Sequence, residues 1–394
     1  MQDTPRSNRV HIGLFGKRNS GKSSLINALT NQEIALVSDF AGTTTDPVYK
    51  SMEIHGIGPC VFIDTAGLDD HGKLGELRVQ QTLRAMKRTD IALLVCTSED
   101  ITDELEWEKL LKQQRIPVIW VLNKADIQEN LIAVSRAIEE KSRQKPVIVS
   151  TRTKQGIDDI RLALISQLPD ESMEQGIVGK LVKENDTVML VMPQDLQAPK
   201  GRLILPQVQT IRELLDRKCL VMSCTTDKID EMLQAMVQPP SLIITDSQVF
   251  KTVYERKPKE SRLTSFSVLF AQYKGDIDYY IEGANAISRL TENSRILIAE
   301  ACTHAPLTED IGTVKIPNML RKRFGDGLCI DHVSGTDFPD DLGKYDLIIH
   351  CGACMFNRKY VLNRIEQARS QSIPMTNYGV TIAYLTGILD KIDY

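Results

Sequence analysis

The sequence predicts an α/β protein built from parallel sheets, and three observations carry that prediction. Short apolar runs alternate with amphipathic stretches along the whole chain. The runs are rich in Val and Ile and apolar on both faces, as strands covered on both sides must be. A glycine-rich pattern, Gly16-Lys17-Arg18-Asn19-Ser20-Gly21-Lys22-Ser23, stands between the first run and the first amphipathic stretch. The expected architecture is a P-loop domain over residues 1–170, a small α/β domain over 171–262 and a third α/β domain over 263–394.

In the first segment Val10–Phe15, Cys60–Ile63, Ile91–Cys96, Val118–Leu122 and Val147–Val149 read as buried parallel strands. Lys22–Leu29, Glu76–Lys87, Glu104–Gln114 and Gly156–Gln167 read as the helices between and after them. The polar stretch Asp170–Gly176 marks a boundary. A second series follows: strands Thr187–Met192, Cys219–Cys224 and Ser241–Thr245, with helices running to Lys218 and about Val237. The charged run Glu255–Arg262, which contains Pro258, marks the next boundary. The third segment repeats the alternation. Phe266–Tyr273, Tyr279–Leu290, Lys359–Ser370 and Gly379–Leu389 read as helices, and Arg295–Ala299, Leu328–Val333, Tyr345–His350 and Ile373–Thr376 as strands. There is no internal sequence repeat.

The whole chain bounds what function can be. At 394 residues it is too long for one ordinary core. Apolar residues make up 42% and charged residues 25%, an ordinary globular composition. The formal net charge of −4 argues against a dedicated nucleic-acid binder, which would carry a basic excess. No apolar run is long enough to span a membrane, and the start, MQDTPRSNRV, has no apolar signal core. The expectation is a cytoplasmic protein with no nucleic-acid and no membrane partner. Thiols stay reduced there, so the eight cysteines read as core residues, metal ligands or redox groups, not as a disulfide framework.

The glycine-rich pattern fits G-x-x-x-x-G-K-S in the strand–helix context the motif requires. Glycines let the backbone turn so that its N–H groups point at phosphate oxygens, and the helix start adds positive dipole. Gly16, Ser20, Gly21, Lys22, Ser23 and Ser24 would line that cradle. Lys22 should reach the β- and γ-phosphates, and the Ser23 hydroxyl should ligate Mg²⁺. Asp64-Thr65-Ala66-Gly67 ends the second apolar run. Asp64 there can hold Mg²⁺ through water, and the Gly67 N–H can sense the γ-phosphate. Asn123-Lys124-Ala125-Asp126 ends another run. The Asp126 carboxylate can accept two hydrogen bonds from guanine, and adenine lacks that pair of donors. Ser150 and Thr151 follow the next strand and are placed to support the base. Four elements in this order predict GTP binding and hydrolysis.

This segment resembles the TrmE–Era–Septin-like class of translation-factor-type GTPases. Asp39-Phe40-Ala41-Gly42-Thr43-Thr44-Thr45-Asp46 resembles the first switch of that class. By that match Thr44 senses Mg²⁺, and Thr45 stands where Arg is common. Leu68 follows Gly67, where Ras-like enzymes place a water-orienting Gln, so intrinsic hydrolysis should be slow. Asn19 lies where potassium-activated members carry an Asn that ligates K⁺. The resemblance therefore implies K⁺ activation, with the ion supplying charge where an arginine finger otherwise acts. The moving elements should be residues 36–46 and 64–78.

The third segment holds Cys302-Thr303-His304 and, after a long gap, His350-Cys351-Gly352-Ala353-Cys354. Both groups directly follow predicted strands. Were those strands parallel neighbours, the groups would meet in the crevice where open α/β sheets bind ligands. Three readings fit the ligand types: a [4Fe–4S] cluster on three cysteines, tetrahedral zinc on Cys and His, or unliganded cysteines in a core. Cys60, Cys96, Cys219, Cys224 and Cys329 lie in or beside apolar runs, and core packing is the expectation for them. His11, His55, His71 and His332 have no partners at ligand spacing.

The order GTPase, small domain, then C-x-H…H-C-x-x-C resembles the HydF family of [FeFe]-hydrogenase maturation GTPases over the full length. The resemblance implies that Cys302, Cys351 and Cys354 bind a [4Fe–4S] cluster, with His304 and His350 the candidates for a fourth, exchangeable ligand. It implies a dimerisation role for the second domain, making a homodimer, and cluster binding for the third. It also implies a carrier that takes up a diiron precursor from the radical-SAM maturases HydE and HydG. The carrier would deliver this diiron subcluster to apo-[FeFe]-hydrogenase. The rival expectation is a GTPase with a zinc module serving RNA or the ribosome. Such a module should show a basic face, whereas the third domain carries the acidic run Asp337-Phe338-Pro339-Asp340-Asp341.

Overall fold

Val10–Phe15, Ile91–Cys96 and Val118–Leu122 can bury almost every side chain only at the centre of a sheet covered on both faces, and they lie there. A computed structural model of the chain describes residues 8–30, 48–54, 57–65, 73–167, 176–193, 203–301 and 310–394. The chain divides into two compact units, Met1–Ser172 and Met173–Tyr394.

The first unit holds a six-stranded sheet in the order β2-β3-β1-β4-β5-β6. Its strands are β1 (Val10–Phe15), β2 (Val48–Ile54), β3 (Gly58–Asp64), β4 (Ile91–Cys96), β5 (Val118–Leu122) and β6 (Val147–Ile148). All pairings are parallel except β2 on β3, where Val48 faces Asp64. Its helices are α1 (Lys22–Thr30), α2 (Lys73–Met86), α3 (Thr102–Gln113), α4 (Leu131–Ser142) and α5 (Ile157–Gln167). Alternate residues of β4 feed opposite layers. Leu93 and Val95 join Leu25, Ile26 and Ile160 on one side, while Ala92 and Leu94 join Trp107, Trp120 and Ile138 on the other. The buried Trp120 indole donates to Glu108 Oε1 at 2.9 Å, which satisfies the one polar atom that burial would otherwise strand.

The second unit holds two four-stranded, wholly parallel sheets. One contains β7 (Thr187–Val191), β8 (Leu220–Cys224), β9 (Leu242–Thr245) and β10 (Arg262–Ser265), in the order β10-β9-β7-β8. The other contains β11 (Arg295–Glu300), β12 (Cys329–Ser334), β13 (Leu347–His350) and β14 (Met375–Asn377), in the order β12-β11-β13-β14. The topology is the same in both: the first strand sits between the second and the third. The helices are α6 (Leu205–Asp216), α7 (Ile229–Ala235), α8 (Phe250–Arg256), α9 (Phe266–Lys274), α10 (Ile277–Asn285), α11 (Ile316–Phe324), α12 (Arg358–Ser370) and α13 (Tyr378–Leu385). One continuous apolar core joins Met189 and Ile243 of the first sheet to Ile296, Ile298 and Ile348 of the second. Strand β10 begins within the run Glu255–Arg262, and Arg262 pairs with Leu242, so the chain beyond that run still belongs to the earlier sheet.

Cys329 departs from expectation. It is exposed, not packed in a core, because β12 is an edge strand with an open face. Cys60, Cys96 and Cys219 are buried as expected. Among the described residues, no helix is long and apolar enough to cross a membrane.

Helix α10 lies against β14 so closely that a Cβ on Gly283 would stand 2.1 Å from the Met375 carbonyl oxygen. That neighbour is backbone and cannot move aside cheaply. Gly283→Ala should therefore cost the second unit about 2–3 kcal/mol, read as a lower urea midpoint, while GTP binding by the first unit is unchanged. An unshifted midpoint would contradict this packing.

Candidate functional site

Strand β1 delivers the phosphate loop at its C-terminal end, and α1 begins inside the motif at Lys22. Gly16 has φ 147°, and a Cβ there would meet the Val95 carbonyl oxygen at 2.2 Å, so this turn requires glycine. Asn19 is in the left-handed region at φ 58° and is exposed. Ser20 Oγ is buried with no hydrogen-bond partner, a polar atom left open within a loop shaped for an anion. Lys22 is buried and donates to the carbonyls of Gly16 and Lys17, each at 2.9 Å. It thus lies on the concave side of its own loop. Ser23 Oγ donates to Asp64 Oδ2 at 2.5 Å. Burial raises the Asp64 pKa, against the Ser23 hydrogen bond and the Lys22 charge. Ser23 and Asp64, 41 residues apart in sequence, therefore already form one corner suited to a divalent cation. Ser24 lies half-buried in the first turn of α1.

The elements that the sequence pattern assigns to the base interlock with that loop. Asn123 is fully buried, and its Nδ2 donates to the Ser20 carbonyl at 2.9 Å. Its Oδ1 accepts from the Thr151 amide at 3.4 Å. Lys124 takes the left-handed conformation, φ 62°. Asp126 is exposed, and Ser150 Oγ donates to its Oδ1 at 2.7 Å. Ser150 thus orients the carboxylate and leaves its other face open. Thr44, Gly67 and Leu68 lie outside the described residues, as does the first switch, 39–46.

The second candidate site is on β13. Strands β11 and β13 are parallel neighbours, with Ala299 paired to His350. The chain that leads to Cys302 and the turn that carries Cys351 and Cys354 therefore leave adjacent strand ends. Cys302 and His304 themselves lie outside the described residues. The Cys351 sulfur accepts the amides of Ala301 at 3.0 Å and Ala353 at 3.4 Å. Hydrogen bonds to ligand sulfurs are a common feature of iron–sulfur sites. Gly352 faces open space, since a Cβ there would meet nothing within 4 Å, and Cys354 is half-buried beside it. The two described thiols are of the kind that can hold part of an iron–sulfur cluster. Among the described residues no group of three or more His, Cys, Asp or Glu side chains converges as a metal site.

His350 is fully buried, and both ring nitrogens are engaged. Arg364 Nη1 lies 3.0 Å from Nε2 and can only donate, so Nε2 accepts. Nδ1 then carries the proton and donates to the Cys351 carbonyl at 2.7 Å. Burial, then the Arg364 charge, pushes the ring pKa down to about 3, so the ring is neutral. Arg364 in turn donates to the Gly335 carbonyl and the Tyr360 hydroxyl and stacks against the Phe338 and Tyr360 rings. Lys274 also reaches the cysteine turn. Nothing in the local pattern of the sequence singles out Lys274, the one basic residue of α9, or Arg364, one of four on α12.

Comparison with known proteins gives three matches in succession. A model described as a 50S ribosome-binding GTPase matches residues 11–124. The hydrogen maturase F dimerization domain matches residues 177–275, and the hydrogen maturase F tetramerization domain matches residues 278–392. The tRNA modification GTPase MnmE of Chromobacterium violaceum is 34% identical over 170 residues, 43% of this chain and 37% of that protein. GTPase Der of Wolinella succinogenes is 44% identical over 125 residues, 30% of this chain and 26% of that protein. The chain thus spans well under half the length of these relatives. The first unit is a P-loop GTPase domain, and the chain beyond it carries the two maturase domains.

The interlock around Asp126 makes a graded prediction for nucleotide affinity. Asp126→Ala removes the charged acceptor for the base and should weaken GTP by at least about 3 kcal/mol, roughly 150-fold. Ser150→Ala removes only the orienting bond and should cost about 1 kcal/mol, roughly fivefold. Equilibrium titration with a fluorescent GTP analogue measures both, and equal losses would contradict the division of roles.

Proposed function

The chain belongs to the hydrogen maturase F family, and from that premise we propose that it is a GTP-hydrolysing scaffold for assembly of the [FeFe]-hydrogenase diiron centre. The observation that supports this most is the succession of a GTPase domain and two maturase domains, with the Cys351–Cys354 turn at a strand end inside the last of them. Cys302, Cys351 and Cys354 would hold a [4Fe–4S] cluster. With His350 turned to Arg364 and to the Cys351 carbonyl, His304 is the histidine left to reach the fourth iron. The cluster, when bound, supplies an iron with an exchangeable position for the incoming diiron precursor. The loaded chain would pass that unit to apo-[FeFe]-hydrogenase, with the radical-SAM maturases HydE and HydG as its earlier partners.

In the first unit the residues divide the work of GTP hydrolysis. Lys22, on the concave side of the loop, reaches the β- and γ-phosphates. Gly16, Asn19, Ser20, Gly21 and Ser24 frame the phosphates. Ser23 and Thr44 would hold Mg²⁺, with Asp64 behind water, and that ion supplies charge against the phosphate oxygens. The Gly67 amide follows the γ-phosphate. Asn123, Lys124 and Asp126 take the base, supported by Ser150 and Thr151. Leu68 offers no group to orient water, so turnover is slow unless K⁺ at Asn19 supplies charge. Hydrolysis then acts as a timer on partner contacts.

We place a homodimer contact at the edge strand β8, where Leu220 is exposed beside an unpaired ladder. The family domains take the chain away from the zinc-module alternative in RNA or ribosome work. We propose three functional parts, the second running to residue 275, where the dimerization match ends and after which the tetramerization match begins, with the protein working in the cytoplasm.

Two measurements test the proposal. Anaerobic reconstitution should give close to four irons and four sulfides per chain, with an EPR signal on reduction. Zinc in anaerobically purified protein, or unchanged iron in Cys302→Ala, would overturn the cluster assignment. GTP turnover should be several-fold faster in KCl than in NaCl at equal ionic strength, and equal rates would remove K⁺ from the mechanism.

A further inference from the structure

Helix α9 ends on Lys274, whose side chain is 2% exposed. Its ammonium donates to three backbone carbonyls of the cysteine turn: Ala353 at 3.2 Å, Cys354 at 3.3 Å and Phe356 at 3.0 Å. An ammonium has three N–H groups, and each meets a carbonyl here. Burying such a charge is expensive unless its protons are taken, so the arrangement defines a narrow geometry for the turn. The turn is bent to suit. Ala353 sits in the left-handed region at φ 47°, which a residue with a side chain adopts at a cost, and the Phe356 amide closes back on the Ala353 carbonyl at 3.0 Å. Arg358 Nε adds a bond to the Tyr273 carbonyl at 3.1 Å, fastening the start of α12 to the end of α9.

We propose that Lys274 is a positioning residue of the cysteine site: it holds the turn of Cys351 and Cys354 ready for metal before metal arrives, and its charge adds to the field on whatever binds there. This rests on the cluster reading above. The clamp comes from outside the domain it serves. Lys274 falls within residues 177–275, matched by the dimerization domain, whereas the turn falls within 278–392. The apolar side of α9, Phe266, Leu269 and Phe270, packs into the core under the first sheet of the unit, alongside Val188 and Leu242. The cysteine site is therefore completed by the preceding domain, and residues 278–394 alone would lack its clamp.

The test compares wild type with Lys274→Met, which keeps length but removes donors and charge, and with Lys274→Gln, which keeps two donors without charge. In the metal-free full-length protein, hydrogen exchange of the amides in 351–356 should be at least tenfold faster in Lys274→Met, with Lys274→Gln intermediate. After anaerobic reconstitution, Lys274→Met should keep less than half the wild-type iron, and both variants should show a more negative cluster reduction potential, since a nearby positive charge favours the reduced form. Circular dichroism and GTP turnover check that the chain is folded. Should Lys274→Met not fold, Lys274→Gln decides by the same two readouts. Unchanged exchange in the turn, or wild-type iron content and potential in both variants, would overturn the proposal. Wild-type protein that takes up no cluster would sink the cluster reading instead, and amide exchange would still decide on the clamp.

Discussion

The ladder of hydrogen bonds between parallel strands is the constraint on which both sites hang. A parallel sheet brings all its C-terminal strand ends to one edge, and where successive connections leave in opposite directions a crevice opens. In the first unit β1 lies between β3 and β4, and the phosphate loop leaves its end. In the second unit β11 lies between β12 and β13, and the pairing of Ala299 with His350 fixes where the cysteine turn begins. A slip of one residue in that register would turn His350 away from Arg364 and send Cys351 to the other face. The buried Val, Ile and Leu of these strands matter to function for that reason: they hold the register.

How much of this was legible in the sequence follows from how many residues carry each signal. Strands buried on both faces, such as Ile91–Cys96, announce themselves through six consecutive apolar residues. The phosphate loop is legible because several positions are fixed by one ligand's shape. Strand β2, with its mixed VYKSMEI, carries no such run, and it is an edge strand whose outer side needs no apolar cover. Strand β10, RLTS, is equally opaque and is only four residues long. Helix α4 is amphipathic through Val134 and Ile138, but it lies between Asp126 and Ser150 and carries no motif residue of its own. The pairing of β11 with β13 could be posed from sequence only as a condition, because strand order is a tertiary fact.

The residues that hold the sites are less legible than the residues that fill them. Asn123 is found through its motif, yet its bonds to the Ser20 carbonyl and the Thr151 amide make it the strut between phosphate and base elements. The position of Ser150 after its strand points to support of the base, and its hydroxyl also steers Asp126. Arg364 and Lys274 lie on helices where a basic residue ordinarily faces water. Only the folded chain turns both inward, at 3% and 2% exposure, Arg364 onto His350 and Lys274 onto the turn that follows it. Single long side chains with long-range partners leave no periodic trace in a sequence.

A carrier must take up its load and also release it, and the two demands pull against each other. A turn held ready by Lys274 lowers the ordering cost of binding, which strengthens capture but gives no route to release. Release needs a position that exchanges easily. On the proposed reading, Arg364 serves that need by occupying the Nε2 lone pair of His350, the imidazole nearest the cysteines in sequence. A ring so held cannot compete with incoming ligands for an open iron. Rigidity at Cys351 and Cys354 and an exchangeable fourth ligand would then be two results of one arrangement, in which buried cations hold the protein's own carbonyls and imidazole and leave the thiols for metal.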